Sequence, residues 1–216
     1  MRTLLTLAAT LFVLSNASAL PDSTSPPADD MQTLIPAGDL RSGGFGAPVI
    51  KVGSINGETS VLFGGRGGWV INRTLVIGGG GYGFTDMMYH HSSSSADTGI
   101  AFGYGGLELE YLVGATNVVH GSFLLLVGGG GFTVTRRTGM SEPWDDDYST
   151  LYSQACFVLE PAVNVEVNIL SWLRLAAGVG YRFVSGISDV TIGTRSYNNS
   201  TVSGVFGVGT LKFGPY

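Results

Sequence analysis

From Phe157 to Ile169 the odd positions read Phe157, Leu159, Pro161, Val163, Val165, Val167 and Ile169, while the even ones include Glu160, Asn164, Glu166 and Asn168. The next stretch repeats the rhythm, with Leu173, Leu175, Ala177, Val179, Tyr181 and Phe183 against Arg174, Gly178, Gly180 and Arg182. Leu107, Leu109 and Tyr111 alternate in the same way with Glu108 and Glu110. Period-two alternation of this length predicts strands with one dry face and one polar face. About eight such segments follow one another, over 44–52, 58–71, 74–85, 99–113, 118–136, 151–169, 172–185 and 202–214. Each is near the roughly ten residues that a tilted membrane strand needs.

The connections between segments sort into two alternating kinds. Tight ones fall at Asn72-Arg73, Gly114-Ala115-Thr116-Asn117 and Leu170-Ser171. Long polar ones cover 86–98, 137–150 and 186–201, with Ser54-Ile55-Asn56-Gly57 as a tight exception among them. Short turns at one rim and long loops at the other predict an up-and-down antiparallel meander closed into a barrel.

Composition decides where such a barrel would sit. The chain has 34 glycines and only 12% charged residues, with a mean hydropathy of +0.28. Among its longest apolar runs after the N-terminus, Phe123 to Val127 ends in four glycines that are costly inside a helix. An apolar chain without helical spans can satisfy its backbone in lipid only as a closed barrel. At the N-terminus, Arg2, an apolar stretch from Leu4 to Leu14 and the small residues Ser15 to Ala19 predict a cleaved signal peptide over 1–19. Residues 20–43, with Pro21, Pro26, Pro27 and Asp29-Asp30, read as a flexible leader, leaving 44–216 as the barrel domain of an exported protein. Cys156 is the single cysteine, so there is no disulfide framework and no lipid-anchoring cysteine at the cleavage point. Eleven Lys plus Arg against sixteen Asp plus Glu give no basic footprint for nucleic acid.

In this pattern the chain resembles the small outer-membrane β-barrel proteins of Gram-negative bacteria, the OmpA/OmpX-type group, and within it the short glycine-rich barrels. The resemblance spans roughly 44–216 and rests on the strand and loop pattern. It implies an outer-membrane location, short turns on the periplasmic side and an aromatic last residue. Tyr216 fits that last expectation by type, although Pro215 puts it out of phase with Leu211 and Phe213.

The alternation assigns Arg66, Glu108, Glu110, Glu160, Glu166, Arg174, Arg182 and Lys212 to the lumen. Pairing across Leu170-Ser171 would set either Glu166 opposite Arg174 or Glu160 opposite Arg182. An eight-stranded lumen is just wide enough for side chains to fill, so these charges read as an ion-paired plug. Three glycine-rich stretches each end in an aromatic, placing Tyr82, Phe132 and Tyr181 at one membrane interface. Trp69, Tyr111, Trp172 and Phe213 lie beside the short turns or the C-terminus and would form the other girdle.

Other candidates read blandly. The glycine runs Gly64-Gly65-Arg66-Gly67-Gly68 and Gly78 to Gly81 are followed by no helix and lack the context of a phosphate loop. His90-His91 lies among serines without a spaced third ligand, and Asp145-Asp146-Asp147 lacks the spacing of a calcium loop. His120 is a lone interfacial histidine, and Asn72-Arg73-Thr74 is an accidental sequon. No cofactor, metal site or catalytic group is expected. The expected role is non-enzymatic, structural or surface-interacting through 86–98, 137–150 and 186–201, as a monomer in outer-membrane lipid. Two alternatives are an exported lipocalin-like carrier with the faces inverted and a lipid-modifying outer-membrane enzyme.

Overall fold

The computed structural model describes residues 41–55, 57–86, 98–140, 146–192 and 195–215. They belong to a compact unit bounded by Gly38–Tyr216. The expected signal peptide and nearly all of the expected leader lie outside the described residues, as do Tyr216, His90-His91 and Asp145.

The chain runs as β1 (Ser42–Ile55), β2 (Glu58–Ile71), β3 (Leu75–Asp86), β4 (Thr98–Val113), β5 (Val119–Met140), β6 (Asp146–Leu170) and β7 (Leu173–Ser185). A short β8 (Val190–Ile192), β9 (Arg195–Tyr197) and a one-turn α1 (Asn199–Val202) precede β10 (Gly204–Phe213). β1 to β7 and β10 close an antiparallel barrel in the order β1-β10-β7-β6-β5-β4-β3-β2. Closure removes the sheet edges, which no water would satisfy in lipid. The shortest barrel strand has 10 residues and the longest 25, so every one is long enough to span a bilayer when tilted.

Local chemistry sets the tight turns. Asn72 and Arg73 have φ of 51° and 56°, and the Thr74 amide donates to the Ile71 carbonyl at 3.0 Å. Two successive positive φ values at the centre of the Ile71–Thr74 turn make it the type I′ turn whose twist suits a hairpin. Gly114, at φ 71°, opens the connection from β4 to β5.

The exterior is apolar. Ile50, Phe63, Ile77, Leu107, Leu109, Val163, Val165, Leu175, Val179 and Val205 all face outward and are exposed. The charged residues that alternate with them face inward and are buried. This overturns the inverted arrangement of a soluble carrier, which would bury the apolar set around a ligand and show the charges to water.

Two expected loops are structured. β5 and β6 run on to Met140 and from Asp146, pairing Arg137 with Tyr148 and Met140 with Asp146, with register shifts at Val134/Thr135 and Arg137/Met140. Residues 137–140 and 146–150 therefore extend a two-stranded ribbon, because strands that pair beyond the membrane can be polar on both faces. The stretch 186–201 holds the β8–β9 hairpin and α1. That helix is started by a capping box in which Asn198 Oδ1 accepts from the Thr201 amide and Thr201 Oγ1 accepts from the Asn198 amide.

Candidate functional site

The lumen is layered. At the short-turn end Phe45, Ala47, Val70, Val76, Leu112 and Ala115 form an apolar seal. Above it lies the first charged layer. Arg66 Nε stands 2.6 Å from Glu108 Oε2 and its Nη2 3.0 Å from Glu110 Oε2. Lys212 Nζ reaches Glu110 at 3.0 Å and Glu166 at 2.5 Å. These two acids neutralise it where β10 sets Lys212 directly opposite Arg174. His120 Nε2 faces Glu166 Oε2 at 3.4 Å.

The next layer centres on Lys51. Its ammonium pairs with Glu160, donates to the Tyr104 hydroxyl oxygen at 3.2 Å and lies 3.3 Å from the centre of the Tyr82 ring. Tyr104 donates to Glu160 Oε1 at 2.5 Å. Tyr82 donates to Glu108 Oε1 at 2.5 Å and so joins the two layers. Glycines make room for these side chains. A Cβ built on Gly64 would stand 2.5 Å from Tyr82 Cδ1, and one on Gly130 would stand 2.5 Å from Tyr104 Cβ. A cavity between Lys51, Arg66, Tyr82, Glu160, Asn164 and Thr210 measures about 10 Å³, room for about one water.

The loop end is capped. Ile187, Tyr197 and Val202 are buried with Ile100, Phe102, Phe132, Val134 and Val184. Tyr197 packs on Phe132 with ring centres 5.5 Å apart. Two hydrogen bonds pin the cap: Arg182 Nε donates to the Val202 carbonyl at 3.0 Å, and the Ile187 amide donates to Asn199 Oδ1 at 2.8 Å. The Arg182 guanidinium lies over Phe102 at 5.3 Å.

All eight charges assigned to the lumen from the alternation are buried there. Leu159 pairs with Phe183 and Ala162 with Gly180, a constant register that sets Glu160 across from Arg182, the second of the two alternatives. Arg174 instead faces Asn168, and Glu166 faces Ala176. The acid of Glu160 nevertheless goes to Lys51, which sequence reasoning missed. The other inward residues of the β1 interior, Phe45, Ala47, Val49 and Ile55, are apolar, so no alternation marked the lysine. Among the described residues the buried lumen holds five Lys or Arg and four Glu, with His120 beside them.

The aromatic assignments divide. Trp69, Tyr111, Trp172, Tyr181 and Phe213 are on the outer face and exposed, and Trp172 stacks on Phe213. Tyr82 and Phe132 are not at the lipid interface: they point into the lumen, 4% and 0% exposed. Glycines carry no hydrophobic signal on either face, so the runs before these rings hid the strand phase. The outward rings near the loop end are Phe63, Phe157 and Phe183, beside Tyr181.

The chemistry of the lumen is that of a salt-bridged plug. Ser122 directs its hydroxyl toward Glu110 at 2.7 Å and Glu166 at 2.9 Å, an acceptor set that holds the proton rather than activating the oxygen. Among the described residues no group of three His, Cys, Asp or Glu side chains is placed to hold a metal.

No protein-family model matches the chain, and no curated protein matches it. Among solved structures it is similar to neisserial surface protein A, at 13% identity and a TM-score of 0.46, covering 81% of this chain and 96% of that one. It is similar also to the N-terminal β-barrel domain of Pseudomonas aeruginosa OprF, at 8% identity and 0.44, covering 81% and 98%. The attachment invasion locus protein Ail of Yersinia pestis gives 12% and 0.42, covering 80% and 97%. Likeness at this level carries neither activity nor partners across. The closed eight-stranded meander, its apolar exterior and its polar lumen define the fold of a small transmembrane β-barrel.

Proposed function

We propose that this chain is a non-enzymatic, non-conducting monomeric barrel that contributes to envelope structure and presents its loop end to partners at the cell surface. The observation that carries the reading is the lumen itself, filled from Phe45 to Tyr197 by apolar seals at both ends and interlocked charges between them. A diffusion pore needs a continuous wet path. Here the side chains that would line one are bonded to each other across the lumen, and breaking such pairs is costly. What remains available for recognition is the loop end, with the ribbon of 137–140 and 146–150, the β8–β9 pair and α1 within 186–201, and the connection 86–98. The test is insertion of the purified full chain into planar lipid bilayers. Heat-modifiable, folded protein that gives no stepwise conductance is expected; stable open-channel steps from the same preparation would refute the closed-barrel role.

A further inference from the structure

The outer wall is not uniform. On the seam where β1 meets β10 a groove of about 410 Å³ opens toward the lipid, lined by Pro48, Ile50, Phe63, Leu175, Gly209 and Leu211 among others. Its volume lies within the ~300–1,000 Å³ of small-molecule sites. Two features of the sequence produce it. The seam pairs Gly46 with Phe213 and next Val49 with Thr210, skipping Ala47 and Pro48. Proline has no N–H to give to a ladder, so the strands are not stitched at this level. Gly209 then leaves the floor without a side chain, the nearest atom to a Cβ built there being Ile50 Cγ2 at 3.3 Å.

We propose that this groove is a binding site for one acyl chain of an outer-membrane lipid. The inference rests on the reading of the chain as a lipid-embedded barrel and goes beyond it by naming a place. Ile50, Phe63 and Leu175 are part of the exposed apolar belt, so the groove is continuous with a surface that acyl chains already cover. An extended hydrocarbon lying in it touches walls on two sides as well as the floor, whereas a flat stretch of the belt offers contact on one side. In lipid the gain comes from dispersion contacts rather than from removal of water. Residence there should exceed that on the open belt by about fivefold, the ratio given by ~1 kcal/mol of added contact.

The experiment uses the full chain folded in phosphatidylethanolamine vesicles that contain a phospholipid with a photoreactive diazirine in one acyl chain. After irradiation, adducts are mapped by mass spectrometry of peptides. Adducts concentrated on Ile50, Phe63 and Leu211 are expected, above those on Val163, Val165 and Val179, although Val165 and Val179 are 58% and 57% exposed against 41% for Ile50. Gly209→Leu fills the floor and should bring the seam down to the belt level; Gly209→Ala, which needs only a small shift of Ile50, should give a partial loss. Heat-modifiable mobility checks that each variant is folded. Even labelling around the belt, or seam labelling unchanged in both variants, overturns the site while leaving the membrane reading intact. Seam labelling that falls as the protein-to-lipid ratio is raised, while labelling of the rest of the belt holds, overturns it in favour of a dimer contact. Labelling absent from the whole belt overturns the membrane reading and the site together.

Discussion

Lys51 holds its ammonium 3.3 Å from the centre of the Tyr82 ring while pairing with Glu160 on the opposite wall of the barrel. One side chain from β1 therefore ties β3 and β6 together through the lumen. The contact is made possible by Gly64, which faces Tyr82 across the β2–β3 ladder and leaves the ring space to lie flat.

Replacing Lys51 by Met keeps the stem but leaves Glu160 as a buried carboxylate without its cation. Loss of one member of a buried pair costs about 3–5 kcal/mol. Urea titration of the folded barrel in detergent, followed by the unheated gel, should show this as an earlier midpoint. The double variant K51M/E160Q should recover much of the loss, because it removes both charges.

Glycine positions should respond according to the side they face. Gly64→Ala places a Cβ 2.5 Å from Tyr82 Cδ1 and 2.9 Å from Tyr82 Cα, an overpacking worth about 1–3 kcal/mol of destabilisation. Gly81→Ala, one strand over and facing out, has nothing within 4 Å of the new atom and should leave the midpoint within about 0.5 kcal/mol.

Arg73 sits at φ 56° in the type I′ turn, a conformation that costs a side-chain-bearing residue about 1–2 kcal/mol. Arg73→Gly should shift the urea midpoint upward by about 1 kcal/mol of stability. An unchanged or lower midpoint would show that the arginine side chain makes a compensating contact.

The cap over the loop end depends on Tyr197 and Arg182. Tyr197→Ala removes the ring that packs on Phe132, and Arg182→Met removes the donor to the Val202 carbonyl. Added protease should then cut within 186–203 faster than in the unaltered chain, while the transmembrane strands stay protected and heat-modifiable. Equal cutting rates in all three would show that the cap does not rest on these contacts.

Much of this architecture was legible in the chain because membrane strands alternate without interruption. Glu108, Glu110, Glu160, Glu166, Arg174 and Arg182 each sit between apolar neighbours, which fixed their phase and with it the polar lumen. Strand phase is hidden where the neighbours carry no hydrophobic signal. Tyr82 and Phe132 follow glycine runs, and glycine occupies either face: inward Gly64 and Gly130 make space for rings, whereas outward Gly81 meets nothing. Lys51 was hidden for the opposite reason, since β1 is apolar on both faces around it. The fold of 186–203 was hidden because its order comes from burial of Ile187, Tyr197 and Val202 over the barrel mouth, a tertiary contact with no local period.

The apolar face of this barrel meets lipid and the charged face fills the lumen. Fractionation of cells expressing the full chain, with the membrane fraction run on a gel before and after boiling, tests it most directly. Protein in the outer-membrane fraction that needs detergent for release and changes mobility on heating is the expected result. Soluble protein in the periplasm or medium, with one mobility under both conditions, would contradict it.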